Sequence, residues 1–363
     1  LEFHKNTRTA WSDYFTGSPT LLQKQEYGTG QTLSDTNVYV LNCLFRSTTS
    51  SSHGGAICCS SVQCLLVESS SFFSCRAGGS IGGAIYFANT GSGQCVFHDI
   101  CGYDCYTSSN GQFSYVYVKN DASSKSYANY SSITRCVNTN SWEIFRHRYG
   151  KQCYPSVNLS LNKCYYLSGI YSTPFCDSNS FTFSLTYSTF ADNIATESTC
   201  IKLNTGGAKY EIKSCNILRN TQGTLGTEGT IYTSGNLIIQ DSCILENSAT
   251  NIFYQGSSSY TITLSNCTVD KTTCNRNLVT QNTVTKSFIL ALNHMSTLNC
   301  HSGYDSAGYL TPIVETPSSS KKQKLYYSCE KLFLLPQLSD IVSLNNILIF
   351  NFIHPYASDG LWN

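Results

Sequence analysis

The chain has 363 residues, a formal net charge of +1 and 12% charged residues, against roughly 25% in ordinary soluble domains. Its basic residues form only two short clusters, 146–151 and 321–324, which argues against nucleic-acid binding and favours solvated loops at both places. Nineteen cysteines are too many for an ordinary cytosolic enzyme of this size.

The two ends of the chain differ from the part between them. Residues 1–36 carry Trp11, Tyr14 and Phe15 among polar residues, and we expect an N-terminal cap or a partial coil there. Polar residues interrupt the most apolar stretch, 332–352, so it does not suit a bilayer span. We interpret it as part of a late coil or C-terminal cap at 332–363, and expect any membrane anchor beyond Asn363.

From residue 37 onwards one short pattern recurs. Two apolar residues stand at alternate positions, a small residue follows three positions later, and another apolar residue comes two positions after that, as in Val38, Val40, Cys43 and Phe45. We call the small residue the anchor. The predicted anchors are Cys43, Ser70, Ile100, Ser131, Cys164, Ser188, Cys215, Ser242, Cys267 and Met295, spaced 24 to 33 residues apart. Such a period indicates a structural repeat.

Each repeat predicts strands that cannot be stable alone. Apolar and polar residues alternate, which gives a strand with one buried face, and a second strand follows, as in Gly54-Gly55-Ala56-Ile57. A strand with two or three inward residues must stack on its equivalent in the next repeat. We therefore predict an all-β fold, a right-handed parallel β-helix of about ten or eleven coils over 37–302, with a loop or hinge at 303–331.

The position five residues after the anchor forms a column of its own. It contains Thr48, Cys75, Cys105, Cys136, Gly169, Asn193, Asn220, Asn247, Thr272 and Cys300. We predict that the three asparagines form a structural ladder of hydrogen bonds between coils. Neighbouring residues in a column lie within disulfide range, so one pair among Cys75, Cys105 and Cys136 is bridged, or all three stay reduced.

The residues predict no catalytic, cofactor-binding or metal site. Glycosidases need two carboxylates close together, whereas the acids here fall at various offsets from their anchors. Asp192 and Glu246 share one offset, but Arg219 lies between them, which favours a surface ion-pair row. The densest His/Cys group, His53 with Cys58, Cys59 and Cys64, does not have the spacing of a zinc site.

Two motifs resemble a known family. Gly54-Gly55-Ala56-Ile57 and Gly82-Gly83-Ala84-Ile85 match the GGA-[ILV] motif of the chlamydial-type polymorphic membrane proteins, and Phe190-Ala191-Asp192-Asn193 matches their FxxN motif. Similar repeats occur in surface proteins of trichomonads. The resemblance covers about 38–300 as a repeat style, and it implies a β-helix displayed on a cell surface.

Composition and resemblance together predict an extracellular or cell-surface protein. Three sequons, at Asn129, Asn158 and Asn266, are compatible with N-glycosylation. We expect a non-enzymatic adhesive or display stalk, or a coat protein, whose partner is a surface protein, a glycan or another copy of the chain. The alternatives are a β-helix polysaccharide lyase or glycoside hydrolase, and a filament-forming subunit. Outward tyrosines such as Tyr115, Tyr117 and Tyr254 either bind sugars or partners, or cover the coil.

Overall fold

The structure is a computed structural model, and it describes residues 11–198, 200–223 and 226–285. Within these residues the protein is an all-β solenoid of about nine turns, in which every pair of neighbouring strands is parallel. The described helix is a single turn, α1, Trp11–Tyr14. Four predictions lie outside the described residues: the anchor Met295, the column residue Cys300, the hinge at 303–331 and the late coil at 332–363.

Three long sheets form the sides of the solenoid. Sheet I has 11 strands: Thr20–Gln23, Asn37–Leu41, Cys64–Glu68, Gln94–His98, Lys125–Asn129, Lys151–Pro155, Phe181–Thr186, Lys209–Lys213, Asn236–Gln240, Ile262–Ser265 and Leu278–Gln281. Sheet II has 11: Glu26–Tyr27, Leu44–Arg46, Ser71–Phe73, Cys101–Tyr103, Ser132–Thr134, Asn158–Ser160, Thr189–Ala191, Asn216–Leu218, Cys243–Leu245, Thr268–Val269 and Val284–Thr285. Sheet III has nine: Gln31–Leu33, Ile57–Cys59, Ile85–Ala88, Ser114–Tyr117, Glu143–Arg148, Leu167–Thr173, Ile201–Leu203, Ile231–Thr233 and Phe253–Gln255.

Two short sheets lie between sheets II and III along the chain. One contains Thr49–Ser50, Arg76–Ala77 and Tyr106–Thr107, and the other contains Val137–Asn138, Lys163–Cys164, Ile194–Ala195 and Thr221–Gln222. Like residues of successive turns therefore form files through the molecule, as the repeat predicted. In one inward file, the rings of Tyr27, Phe45 and Phe72 stack with centroids 4.9 Å apart at each step.

The anchor residue closes the corner between sheets I and II. The residue before it has a positive φ, as at Asn42, Ser69 and Ser214, and this turns the chain sharply. The Ser70 hydroxyl donates to the Glu68 carbonyl at 2.8 Å and accepts the Cys43 N–H of the preceding turn at 3.0 Å. Cysteine substitutes for serine here because a thiol is small and can make the same contact with the carbonyl two residues before it.

The sheet I strand Leu278–Gln281 and the corner at Asn282 were not predicted. The predicted register is also wrong in the turn at 151–164. Leu159, Leu161 and Cys164 imitate the repeat pattern, but Lys151–Pro155 is the strand that pairs within sheet I, with Gln152 opposite Phe183. Ser156 has the positive φ of the corner, so Val157 is the anchor. Its N–H donates to the Ser188 hydroxyl at 2.9 Å, as at the other corners. Five residues later stands Asn162, which replaces Gly169 in the predicted column.

A group of hydrogen-bonded polar side chains is buried in the core beside the same turn. His147 is completely buried, and both ring nitrogens lie within hydrogen-bond distance of hydroxyls: Nε2 is 3.2 Å from Ser114, and Nδ1 is 3.2 Å from Ser126 and 3.0 Å from Tyr154. Tyr154 also donates to Gln152 at 3.0 Å. Burial lowers the pKa of His147 to about 3, so the imidazole is neutral near pH 7.

Helix α1 packs on the outside of sheet I. Trp11 and Phe15 are buried against Tyr39, Leu66 and Val96, which point away from the core. The first partial coil begins at Thr20, whose strand pairs with Asn37–Leu41. The described N-terminal residues therefore cover a flank of the solenoid as well as adding strands to its end.

Candidate functional site

The predicted asparagine column is a hydrogen-bond ladder in the structure, and it has four members rather than three. Asn193 Nδ2 donates to Asn220 Oδ1 at 2.9 Å, and Asn220 Nδ2 donates to Asn247 Oδ1 at 3.0 Å. Each amide oxygen also accepts a backbone N–H from the preceding turn, including that of Cys136, which donates to Asn162 at 3.0 Å. Asn193, Asn220 and Asn247 are at most 3% exposed, so the ladder serves the scaffold.

The cysteine column continues the same file. Cys75, Cys105 and Cys136 are buried and carry free thiols. Burial raises the pKa of Cys75 and Cys105 well above the ordinary value, and the neighbouring thiol of the column acts on each in addition. The Cys75 and Cys105 thiols therefore remain protonated near neutral pH, and the column is a packed part of the core.

The three sequons lie in different surroundings. Asn129 is 8% exposed and its amide donates to the Tyr14 hydroxyl at 2.8 Å, beneath helix α1. Asn158 is half-buried and donates to Ser132 at 3.1 Å. Asn266 is exposed, at the corner between sheets I and II. Of the three, Asn266 presents its side chain most openly to solvent.

The acidic side chains are spread over several corners of the solenoid, and neighbouring side chains bind them. Ser69 donates to Asp99 at 3.1 Å and Ser74 to Asp104 at 2.7 Å. The Arg219 guanidinium binds Asp192 in bidentate fashion, at 2.7 and 2.8 Å. Among the described residues, no three His, Cys, Asp or Glu side chains are grouped as ligands for a metal ion.

A row of aromatic and basic side chains lies on the outward side of sheet III. Because side chains alternate along a strand, the residue after each inward position points away from the core, and parallel register aligns these residues in one file. The file contains Tyr86, Tyr115, Arg146, Tyr171, Lys202, Tyr232 and Tyr254. We call this file, with its neighbours Tyr117, Trp142, Arg148 and Tyr166, the tyrosine face.

The predicted loop at 146–151 is wrong, and this error hid the centre of the face. Arg146 and Arg148 lie in the strand Glu143–Arg148, and a tight turn at Tyr149 and Gly150, both with positive φ, leads directly into Lys151–Pro155. The two guanidinium groups therefore stand at alternate positions of one strand and on the same side of sheet III.

Aromatic pairs occupy the two ends of the file. Tyr86 and Tyr115 stack with ring centroids 5.8 Å apart, and His53 stacks on Tyr86 at 4.4 Å. At the other end, the rings of Tyr232 and Tyr254 are 5.7 Å apart and nearly parallel, with an angle of 15° between them. Stacking between turns holds these half-buried rings in fixed orientations.

Arg146 joins the two halves of the file. Its guanidinium carbon lies 5.8 Å from the centre of the Tyr115 ring and 4.6 Å from that of Tyr171. The same group forms an ion pair with Glu143, which is 1% exposed, and donates to Asn110 at 3.0 Å. Burial raises the pKa of Glu143, and the charge of Arg146 works against that rise.

Lys202 forms a second cluster in the same file. Its ammonium lies 4.8 Å from the ring centres of both Tyr166 and Tyr232, and 2.8 and 2.6 Å from the two carboxylate oxygens of Glu228. Ser198 also donates to Glu228, at 2.5 Å. Burial acts to lower the pKa of Lys202, but its bonds to Glu228 and Tyr166 outweigh burial and raise it. Lys202 therefore remains a cation.

The edges of the face add further aromatic surface. Trp142 is 49% exposed and its ring lies 5.5 Å from that of Tyr166. On the other edge, the Arg148 guanidinium carbon lies 4.7 Å from the centre of the Tyr117 ring. The arrangement offers flat, amphipathic rings held by cations, which suits binding of a ligand that has apolar faces and polar edges.

Comparison of the chain with protein-family models, with curated proteins and with solved structures found no match. The resemblance to polymorphic membrane proteins therefore remains a prediction. No helix in the described part of the chain is long and apolar enough to cross a membrane.

Proposed function

We propose that the protein is a non-enzymatic, extracellular or cell-surface β-solenoid that binds a glycan along the tyrosine face and so acts in adhesion or display. The observation that carries the proposal is the register file of five tyrosines and two cations on sheet III. Sugar rings have apolar C–H faces that stack on aromatic rings, and hydroxyl edges that hydrogen-bond to polar neighbours.

Rigidity of the rings supports this function. A tyrosine has few rotatable bonds, so ordering it on binding costs little conformational entropy. On this face the cost is smaller still, because Arg146 is held between Tyr115 and Tyr171, and Lys202 between Tyr166 and Tyr232. A preformed surface of this kind favours affinity.

A carbohydrate-active enzyme is the second candidate, because Glu143 and Glu228 both lie near Lys202. Three features favour binding over turnover. Lys202 is held as a cation and is a poor general base. Glu143 is 1% exposed, and both carboxylates are engaged in ion pairs, with Arg146 and Lys202.

A glycan array tests the proposal. We expect the protein to bind a subset of glycans, and the double variant Tyr86→Ala/Tyr232→Ala to bind them about tenfold more weakly, since each aromatic contact contributes roughly 0.5–1.5 kcal/mol. Tyr187→Ala is the matched control, because Tyr187 is 55% exposed and lies at the corner between sheets I and II. It should bind like the wild type.

Three outcomes contradict the proposal. The first is that no glycan on the array binds, and the second is that the double variant binds the same glycans as tightly as the wild type. The third is release of new reducing or unsaturated sugar ends when the bound glycan is incubated with the protein, which supports the enzymatic alternative.

A further inference from the structure

We propose that the glycan on the tyrosine face is a polysaccharide bearing carboxylate groups, and that Arg148 is the residue that binds them. This inference rests on the proposed function and specifies the ligand class of the same site. It follows from the state of Arg148, from the charge of the face and from the length of the file.

Arg148 is fixed in place by aromatic groups. Its guanidinium carbon lies 4.7 Å from the ring centre of Tyr117 and 5.5 Å from that of Tyr149. Stacking uses the faces of the guanidinium plane and leaves the N–H groups at its edge able to bind an anion. Arg148 Nε is buried and has no hydrogen-bond partner in the described part of the protein.

The other two cations of the face are already neutralised. Arg146 forms an ion pair with Glu143, and Lys202 with Glu228. Arg148 has no carboxylate within ion-pair distance among the described residues. The face therefore carries one cation more than it has carboxylates, and Arg148 is the cation without an ion-pair partner. Charge complementarity requires an anionic group on the ligand at this point.

The geometry distinguishes the kind of ligand. The file crosses seven strands, so at the usual strand spacing it is on the order of 30 Å long, which suits an extended polymer better than a single sugar. A guanidinium presents parallel N–H groups that match the two oxygens of a planar carboxylate. A uronic acid residue carries such a carboxylate on the same ring that stacks on tyrosine. A polyuronate therefore satisfies both the rings and Arg148.

Binding to three defined polymers tests the inference. The probes are polygalacturonate, its methyl ester and dextran sulfate, and the affinities of the whole chain are measured by biolayer interferometry. We expect polygalacturonate to bind about tenfold more tightly than the ester, the usual size of a hydrogen bond to a charged group. Arg148→Gln should remove this difference. Arg46→Gln should keep it, since Arg46 also lies over an aromatic ring, Phe73 at 5.9 Å, but in sheet II.

A second variant covers the case in which Arg148→Gln does not fold. Arg148→Lys keeps the charge but loses the paired N–H groups, and we expect about a threefold loss of affinity for polygalacturonate. Equal binding of polygalacturonate and its ester, or tighter binding of dextran sulfate, overturns the inference and leaves glycan binding standing. Absence of binding to every polymer here and to every glycan on the array overturns the proposed function itself.

Discussion

The column five residues after the anchor has two halves, which form the same backbone corner with different side chains. The position five residues after the anchor is Thr48, Cys75, Cys105 and Cys136 in the first turns, and Asn162, Asn193, Asn220 and Asn247 in the later ones. In both halves the preceding residue has a positive φ, so the backbone turn is the same. The side chains differ in how completely they satisfy the backbone around them.

The side chain of an asparagine makes hydrogen bonds to two backbone groups of the preceding turn, whereas the side chain of a cysteine makes a contact with one. Asn220 Nδ2 donates to the Phe190 carbonyl at 2.9 Å, and its Oδ1 accepts the Asn193 N–H at 3.2 Å. Cys105 Sγ approaches the Phe72 carbonyl at 3.5 Å, the position equivalent to Phe190. A thiol is a weak donor and offers no amide oxygen to the N–H below it. The asparagine half should therefore be the more strongly bonded of the two.

The largest effect is expected from Asn220→Ala. The change removes four hydrogen bonds and leaves the Asn193 N–H buried without a partner, which should cost about 3 kcal/mol of unfolding free energy. Urea denaturation and hydrogen exchange of the Asn193 N–H measure it. Asn179→Ala, in an exposed loop, is the control and should change stability by less than about 0.5 kcal/mol. Equal stability of the two variants contradicts the role of the ladder.

The boundary between the halves should be sensitive to acid. His147 lies in the turn between Cys136 and Asn162, and its pKa is about 3 in the folded protein against about 6.5 in the unfolded chain. A lowered histidine pKa stabilises the fold above the unfolded pKa, and this contribution is lost as the pH falls. From pH 7 to pH 5 the loss should be roughly 2 kcal/mol.

Comparison with His147→Phe isolates this effect. Burial raises the pKa of Asp99 to about 7, which acts in the opposite direction, and burial lowers the pKa of His98; both groups remain in the variant. The unfolding free energy of the wild type should therefore fall more steeply between pH 7 and pH 5 than that of the variant. Parallel pH profiles would show that His147 does not titrate between the two states.

A smaller effect is expected when the ladder is extended into the cysteine half. Cys105→Asn places an amide where Oδ1 can accept the Cys75 N–H and Nδ2 can donate to Phe72, and the two side chains have similar volumes. We expect stabilisation of about 0.5–1 kcal/mol in urea denaturation. Cys105→Ala is the control and should destabilise by about 1 kcal/mol. Destabilisation by the asparagine variant would show that the two halves differ in packing as well as in bonding.

The smallest difference between the regions is expected in the reaction of their thiols with a labelling reagent. Cys176 is exposed, whereas Cys75, Cys105 and Cys136 are buried and the pKa of the first two is raised. Because the thiolate is the reactive form, a maleimide should label Cys176 in the native protein and the column only after denaturation. Peptide mapping by mass spectrometry without reduction gives the result. A bridged peptide that contains two cysteines of the column contradicts it.

Periodicity predicted the parallel coil because every turn must bury the same positions, and it failed where the core is polar. In the turn at 151–157, Gln152 and Tyr154 occupy the two inward positions that are apolar elsewhere. The hydrophobic pattern is therefore weakest there, and the alignment moved to Leu159 and Leu161. The anchor Val157 and the ladder residue Asn162 were missed for that reason.

The tyrosine face was only partly visible in the sequence. The sequence indicates that Tyr115, Tyr117 and Tyr254 point outward, but the register that aligns the file with Arg146 and Lys202 depends on pairing between turns. One signal was available: Ile85-Tyr86, Ile170-Tyr171, Ile231-Tyr232 and Phe253-Tyr254 repeat an apolar residue followed by tyrosine in the second strand. The partnership of Lys202 with Glu228 joins residues 26 positions apart, and no local pattern predicts it.

The equal spacing of the ladder has a consequence for how this protein changes in size. Asn193 and Asn220 are 27 residues apart, and so are Asn220 and Asn247. A segment that starts and finishes at the same corner can be excised or duplicated while both flanking strands keep their direction and their neighbours. Insertion of one such unit adds a single layer of about 4.8 Å. Inherited gain or loss of whole layers can therefore alter the reach of the molecule without any new solution to its folding.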